Sequence, residues 1–253
     1  MKICFRSLLL LLVTLSVGAV CVSAQKKCTG DDFECRIKAD PKDAEAYYIR
    51  AFVISESGKF EQAIADLTRY FELTTVATDN KKDVAGGYHL RGQLHEATRN
   101  FEQALADYAK AIELDPADAR FYISRARYYI WDHKKSKARP DVLKAVELTP
   151  KDPAVYELMA DTETDYEKEL ADRSKYISML GTDDKVKLSQ ALNSRAHTYM
   201  NLKQHELAEA DLTRAIGLTP NNKDLYLARS IIYNVLRKYD LAAADSKKFE
   251  SLP

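Results

Sequence analysis

From 60 to 73 the chain reads FEQAIADLTRYFEL, and from 101 to 116 it reads FEQALADYAKAIELDP. Both place apolar residues at three- and four-residue spacing around one face, the period of an amphipathic helix. A second stretch of the same period precedes each, joined by a short polar turn, ESGK at 56–59 or ATRN at 97–100. Two apolar-striped helices and a tight polar turn predict an antiparallel helical hairpin. Each copy also keeps an Asp, at 66 and at 107, inside the apolar pattern.

The hairpin recurs. Aligning the Ala that follows F-E-Q gives Ala63, Ala104, Ala138, Glu169, Ala208 and Ala242, at intervals of 41, 34, 31, 39 and 34 residues. Sixteen residues before five of these marks stand Tyr47, Tyr88, Tyr122, Leu192 and Tyr226, with Ala51, Gly92, Ala126, Ala196 and Ser230 four residues later. Ala111, Ala145 and Ala215 follow their marks by seven residues, and Pro116, Pro150 and Pro220 close those units. This pattern resembles the tetratricopeptide repeat over about residues 40–252. The resemblance implies an all-α, right-handed superhelical solenoid of antiparallel helix hairpins, since one hairpin cannot bury its apolar face and neighbours must stack. Six repeats are expected at about 40–73, 80–116, 117–150, 151–180, 183–220 and 221–253.

A longer period overlies the short one. Ala104 and Ala208, like Ala138 and Ala242, are 104 residues apart, and ADLTRYFEL at 65–73 echoes as ADRSKYISM at 171–179. Tyr70 and Tyr176 replace the usual Ala in these echoes, and each is followed by a polar insertion. A duplicated three-repeat block, with longer leading helices after the insertions, accounts for this. Repeat 4 is shortened at ETDYEK, and Pro140 predicts a late start or a kink in the second helix of repeat 3.

The recurring Asp has a fixed companion. Arg50, Arg91, Arg125, Arg195 and Arg229 each stand 16 residues before Asp66, Asp107, Asp141, Asp211 and Asp245. A planar guanidinium binds both carboxylate oxygens, so the structural expectation is an ion pair linking the two helices of each hairpin. The functional alternative is a row of Arg lining a groove for acidic ligands. Met159 replaces the Arg in repeat 4, leaving Asp172 to lean on Arg195.

The first helices differ between copies, and the resemblance places binding there, on the concave face. By register it offers Tyr48, Phe52, His89, Gln93, Arg120, Arg127 and Trp131 to an apolar or acidic protein or peptide segment. Glu157, Asp161, Asp165, Asn193, His197 and Asn201 suit a polar or basic one. Packing of Phe52 and Trp131 between hairpins is the competing expectation. The Lys- and Asn-rich clamp with which some relatives grip chaperone termini is not matched, because Tyr48, Phe52, Leu90 and Ser124 occupy the corresponding positions. Tyr233, Leu241 and Phe249 predict an apolar edge on the last repeat, a route to a homodimer or a larger assembly.

Composition narrows the function classes. The 253 residues are 46% apolar and 30% charged, with 38 basic and 38 acidic side chains, so no global field favours nucleic acid. The five His, at 89, 95, 133, 197 and 205, include no pair four apart on one helical face. With no nucleophile–base set, phosphate loop or metal signature, the reading is a binding scaffold without catalysis, metal or cofactor. An enzyme would need an unfamiliar constellation.

Residues 1–24, MKICFRSLLLLLVTLSVGAVCVSA, carry Lys2 and Arg6, an apolar run and small residues before Ala24, the features of a cleaved secretory signal. An uncleaved anchor and a lipoprotein site at Cys21 are the alternatives. Cleavage leaves 36 basic against 38 acidic residues, no stable membrane span, and an exported chain, periplasmic or secreted. In the remaining N-terminal segment, 25–39, Cys28 and Cys35 form an even, closely spaced pair, expected as a disulfide rather than a metal site.

Overall fold

The computed structural model describes residues 32–77 and 80–253. The expected signal segment and Cys28 lie outside the described residues. The chain divides into two compact units at residues 77 and 78.

The first unit holds α1 (Phe33–Ala39), α2 (Ala44–Glu56) and α3 (Phe60–Leu73). The Asp43 side chain caps α2 by accepting from the Ala46 N–H, and the Arg36 guanidinium bonds Asp43 and Glu45, tying α1 to the start of α2. Ala46, Ala51, Ala63 and Leu67 are fully buried between the helices. Tyr70 is buried too, its ring 5.2 Å from that of Tyr48.

The second unit is five hairpins: α4 (Lys81–Ala97) with α5 (Phe101–Leu114), α6 (Ala119–Trp131) with α7 (Lys135–Leu148), α8 (Pro153–Thr162) with α9 (Tyr166–Met179), α10 (Lys185–Asn201) with α11 (His205–Leu218), and α12 (Lys223–Val235) with α13 (Tyr239–Ser251). Helices α4 and α10, 104 residues apart, each run 17 residues, whereas α6 and α12 run 13. Helix α8, where the sequence is shortened, has only 10. Helix α7 runs unbroken through Pro140 from Lys135, in the same register as the other second helices, so Pro140 causes no late start.

Two kinds of turn build each unit. Between hairpins, Asp118, Asp152, Asp184 and Asn222 cap the incoming first helix through their side chains. The hydroxyls of Tyr122, Tyr156 and Tyr226 donate back to the carbonyls of Pro116, Pro150 and Pro220, locking that turn to the helix it launches. Within hairpins, the first helix ends on a left-handed residue: Gly58, Arg99, His133, Lys203 or Arg237. The following N–H then reaches five residues back, as from Asn100 to His95 O at 2.7 Å and from Lys238 to Tyr233 O at 2.8 Å. This closure satisfies the helix-end carbonyls with no side-chain cap on the second helix.

Packing follows the repeat. Leu188, Leu192, Leu212, Ile216, Leu225 and Ile232 form one core across the last two hairpins. Tyr122, Ala126, Val142, Val155 and Leu158 form two more across α6, α7 and α8. Fully burying a Leu- or Val-sized side chain is worth about 1.5–3 kcal/mol, so these clusters carry most of the stacking energy.

Candidate functional site

In five hairpins the Arg fork closes on the Asp carboxylate. Arg50 Nε and Nη2 reach Asp66 at 2.7 and 2.6 Å, Arg91 reaches Asp107 at 2.8 and 2.7 Å, and Arg125 reaches Asp141 at 2.7 Å through both nitrogens. Arg195–Asp211 and Arg229–Asp245 repeat the geometry at 2.7 Å and at 2.8 and 2.9 Å. Aromatic rings cover the guanidinium: Arg229 lies 5.9 Å from the ring of Tyr226 and 5.4 Å from that of Tyr233, and Arg91 lies 5.5 Å from Tyr88. The carboxylates are buried and every pair stays inside one hairpin, so these Arg are spent on the fold rather than offered to a ligand.

Repeat 4 is wired differently. Arg139 crosses from α7, donating to Met159 O and Thr162 Oγ1 and pairing with Glu163 at 2.8 Å. It takes over the ground that Met159 cannot hold. Asp172 lies in the field of Arg139 while burial raises its pKa. The expected partner, Arg195, is engaged with Asp211 and Ser174 instead. Inside the hairpin, Glu169 and Arg173 stand where other repeats have Ala and, mostly, an apolar residue. Arg173 bonds Glu169 at 2.8 Å, Thr198 at 3.1 Å and Asp161 at 3.2 Å.

The predicted binding residues fall in both units. Tyr48 and Phe52 belong to the first unit, where Tyr48 is half-buried on Tyr70 and Phe52 is 50% exposed. In the second unit Gln93, Glu96 and Ala97 of α4, Tyr108 of α5, and Ser124 and Arg127 of α6 line a recess of 380 Å³. Trp131, 62% exposed, lies one turn along α6 from Arg127, and its ring rests 4.9 Å from that of Phe101. It therefore packs between hairpins and still faces solvent.

His89 is partly buried and one ring nitrogen is already engaged. Its Nε2 is hydrogen-bonded to Ser124 Oγ at 2.8 Å, and its ring lies between Phe121 and Tyr108. Burial, reinforced by Arg120, holds its pKa down at about 4. Arg120 sits apart from the recess, paired with Asp118 beside Lys82, Asp83 and Thr149.

The acidic face of repeat 4 is present on α8. Burial, with Asp161 one turn away, raises the pKa of Glu157. The Tyr176 hydroxyl donates to it, and burial, reinforced by the Glu157 charge, pushes that phenol up to about 12. Asp165 caps α9 by accepting from the N–H groups of Glu167 and Lys168. In α10, His197 Nδ1 bonds the Asn193 carbonyl, while the Asn193 side-chain oxygen is buried without a partner.

The apolar edge of the last hairpin is exposed as expected at Leu241 and differs at the other two positions. Tyr233 is buried beneath Arg229, and Phe249 packs against the core of the last two hairpins. The open apolar side chains are Leu227, Ile231 and Val235, at 40, 47 and 51% exposure, with Tyr239 and Leu241 beyond them. Leu227, Ile231 and Val235 occupy in α12 the register that Asn193, His197 and Asn201 occupy in α10. Sequence reading passed over them although the same four-residue spacing identifies them.

The architecture is that of a tetratricopeptide solenoid. Residues 85–118 and 189–222 each match the tetratricopeptide repeat family, the second and fifth hairpins. The C-terminal part of a TPR repeat-containing protein from Cytophaga hutchinsonii superposes with TM-score 0.68 at 19% identity, covering 87% of each chain. A tetratricopeptide repeat protein from Parabacteroides merdae gives 0.61 at 20% identity over 87% of this chain and 84% of its own. YrrB, described as a TPR protein with an unusual peptide-binding site, gives 0.62 at 19% identity over 79% of this chain and 99% of its own. No curated protein sequence matches. Among the described residues no group of three His, Cys, Asp or Glu is placed to hold a metal, and no helix is long and apolar enough to cross a membrane.

Proposed function

We propose that the chain is a non-catalytic scaffold that binds a protein or peptide segment through the first helices of its repeats. The recess between α4 and α6 carries this reading: Gln93, Ser124 and Arg127 offer polar groups around its mouth, and Trp131 adds an exposed ring one turn away. Aromatic and Arg side chains beside a recess are the usual anchors of protein interfaces. YrrB, with its peptide-binding site, shares the fold and supports the assignment by analogy.

Panning the chain against a random-peptide library tests this. Enriched peptides should bind the native chain and lose about tenfold or more in affinity with Arg127→Ala or Trp131→Ala, while circular dichroism melts stay unchanged. Failure to enrich any peptide overturns it.

The same reading includes export after cleavage near Ala24 and closure of the N-terminal segment by a Cys28–Cys35 disulfide. Oxidising compartments favour such pairs. Mass spectrometry of the purified chain should start after Ala24 and show no free thiol; retention of residues 1–24 or two free thiols overturns this part.

A further inference from the structure

Trp131 is the sole tryptophan of the chain, and it stands 62% exposed at the end of α6. Its ring lies 4.9 Å from that of Phe101, so the α4–α5 and α6–α7 turns adjoin at this edge of the second unit. Both turns are cationic. Arg99 closes α4, and His133, Lys134, Lys135 and Lys137 follow Trp131, all of them exposed. Asp132, the one acid in that run, is taken by Lys134 at 2.6 Å. Among the described residues no carboxylate pairs with Arg99, Lys135 or Lys137. Lys137 lies 6.0 Å from the Tyr129 ring, at the outer range of a cation–π contact.

The fold accounts for some of these cations and not for others. A cation just past the end of a helix meets the negative end of its dipole, which suits Arg99 at its left-handed position. Lys135 and Lys137 lie in the first turn of α7, at the positive end, where a cation is opposed. The other five second helices carry Glu61, Glu102, Glu167, Glu206 or Asp240 in that turn. Helix α7 has no acid there. A negative charge outside the chain removes the cost that the fold leaves.

The number of unpaired cations and the ring beside them select the partner. A nucleic-acid footprint neutralises about 6–10 phosphates, more than three unpaired cations on a chain of zero net charge supply. A bilayer asks for fewer. Each Lys near an anionic lipid surface multiplies binding about fivefold, and an exposed Trp is favoured at the headgroup level, where its ring is half apolar and half wet. We propose that this edge rests on an anionic phospholipid surface, with Trp131 in the headgroup layer and Arg99, Lys135 and Lys137 over lipid phosphates. The inference goes beyond the binding reading above and shares only Trp131 with it.

Because Trp131 is the sole Trp, its emission reports this edge whatever else the chain touches. The full chain is titrated with vesicles of phosphatidylglycerol and phosphatidylcholine in equal parts, and with vesicles of phosphatidylcholine alone. Emission should shift to the blue with the first and not with the second, and the shift should fade from about 0.1 M to about 1 M salt. Lys135→Glu combined with Lys137→Glu should weaken vesicle binding at least about twentyfold. That variant should melt no lower than the parent, because it restores acids to the first turn of α7. No blue shift, an equal shift with phosphatidylcholine, or undiminished binding by the double variant overturns the proposal. A lowered melting midpoint assigns the two Lys to the fold and also overturns it. So does a duplex oligonucleotide that displaces the vesicles, which makes the patch a nucleic-acid site. Peptide panning reads the recess through Arg127 and depends on neither Lys, so the two readings fail separately.

Discussion

Arg91 holds Asp107 through two parallel hydrogen bonds of 2.8 and 2.7 Å, across 16 residues of chain and from one helix of a hairpin to the other. Both side chains are largely shielded, at 18 and 7% exposure. Removing one partner of such a pair strands the other charge, at a cost of roughly 3–5 kcal/mol. Arg91→Ala should therefore lower unfolding free energy by about that much, and Asp107→Ala somewhat less, because the guanidinium it strands is the more exposed of the two groups. A double-mutant cycle read by urea unfolding should give coupling above about 1 kcal/mol. Near-zero coupling would mean that the pair is ornamental to stability.

Gly92 is small because Tyr108 is large. A Cβ built at position 92 would lie 2.7 and 2.8 Å from two Tyr108 ring carbons. The hairpins with Ala at this position have Leu67, Val142 or Leu212 opposite. Gly92→Ala should destabilise by about 1–3 kcal/mol through overpacking, despite the better helix propensity of Ala. Adding Tyr108→Leu should recover part of that loss, although Tyr108→Leu alone sacrifices the hydroxyl's 2.8 Å bond to Glu96. Thermal melts of the four proteins decide it; additive effects would refute the coupling.

These two relationships show what one sequence reveals. The Arg–Asp pairs were legible because repetition turned an isolated charge into a spacing rule, and the hairpins were legible through the period of Ala, Leu and Tyr. Repeat 4 was not, because Arg139 arrives from the preceding hairpin across 20 to 24 residues of chain, a distance no local period encodes. His89 read as a groove residue by register, yet Ser124, 35 residues on, satisfies it. Leu227, Ile231 and Val235 carried the register but not the polarity sought there. The left-handed turn at Arg99, His133, Lys203 and Arg237 had no glycine to announce it.

That turn gives a stabilising change. A non-glycine residue in the left-handed region carries a penalty of roughly 1–2 kcal/mol, which glycine avoids. Arg237 is exposed and its φ is 58°. Arg237→Gly should raise unfolding free energy by about 1 kcal/mol after the loss of chain stiffness in the unfolded state is counted. Differential scanning calorimetry showing a lowered midpoint would contradict the turn geometry.

Asp172 should be a net burden at neutral pH. Burial raises its pKa, with Arg139 opposing and Glu163 reinforcing the shift. A raised carboxyl pKa means that the folded chain binds the proton more tightly than the unfolded one, so this group's penalty is full at pH 7 and fades as pH falls through its folded value towards 3.8. Asp172→Asn should stabilise at pH 7 by up to about 1 kcal/mol, and the advantage should shrink by pH 4. Arg139→Gln should do the opposite, costing about 1–3 kcal/mol because Thr162 and Glu163 lose their donor. Chemical unfolding at both pH values reads the two effects, and a destabilised Asp172→Asn would show that the carboxylate has a stronger partner than Arg139.

His89 sets the acid limit of the second unit. Burial between Phe121 and Tyr108 depresses its pKa from 6.5 to about 4. The folded imidazole stays neutral where the unfolded one already takes a proton, so its contribution is complete above pH 6.5 and is lost as pH falls towards 4. One such proton changes stability by at most about 1.4 kcal/mol per pH unit. His95, also lowered by burial, adds in the same direction. Between pH 7 and pH 5 the native chain should lose about 2 kcal/mol more than the His89→Gln variant, which keeps a donor for Ser124 but cannot charge. Urea midpoints for the two proteins at both pH values measure the difference. Parallel losses would mean that the imidazole is protonated as readily in the fold as outside it.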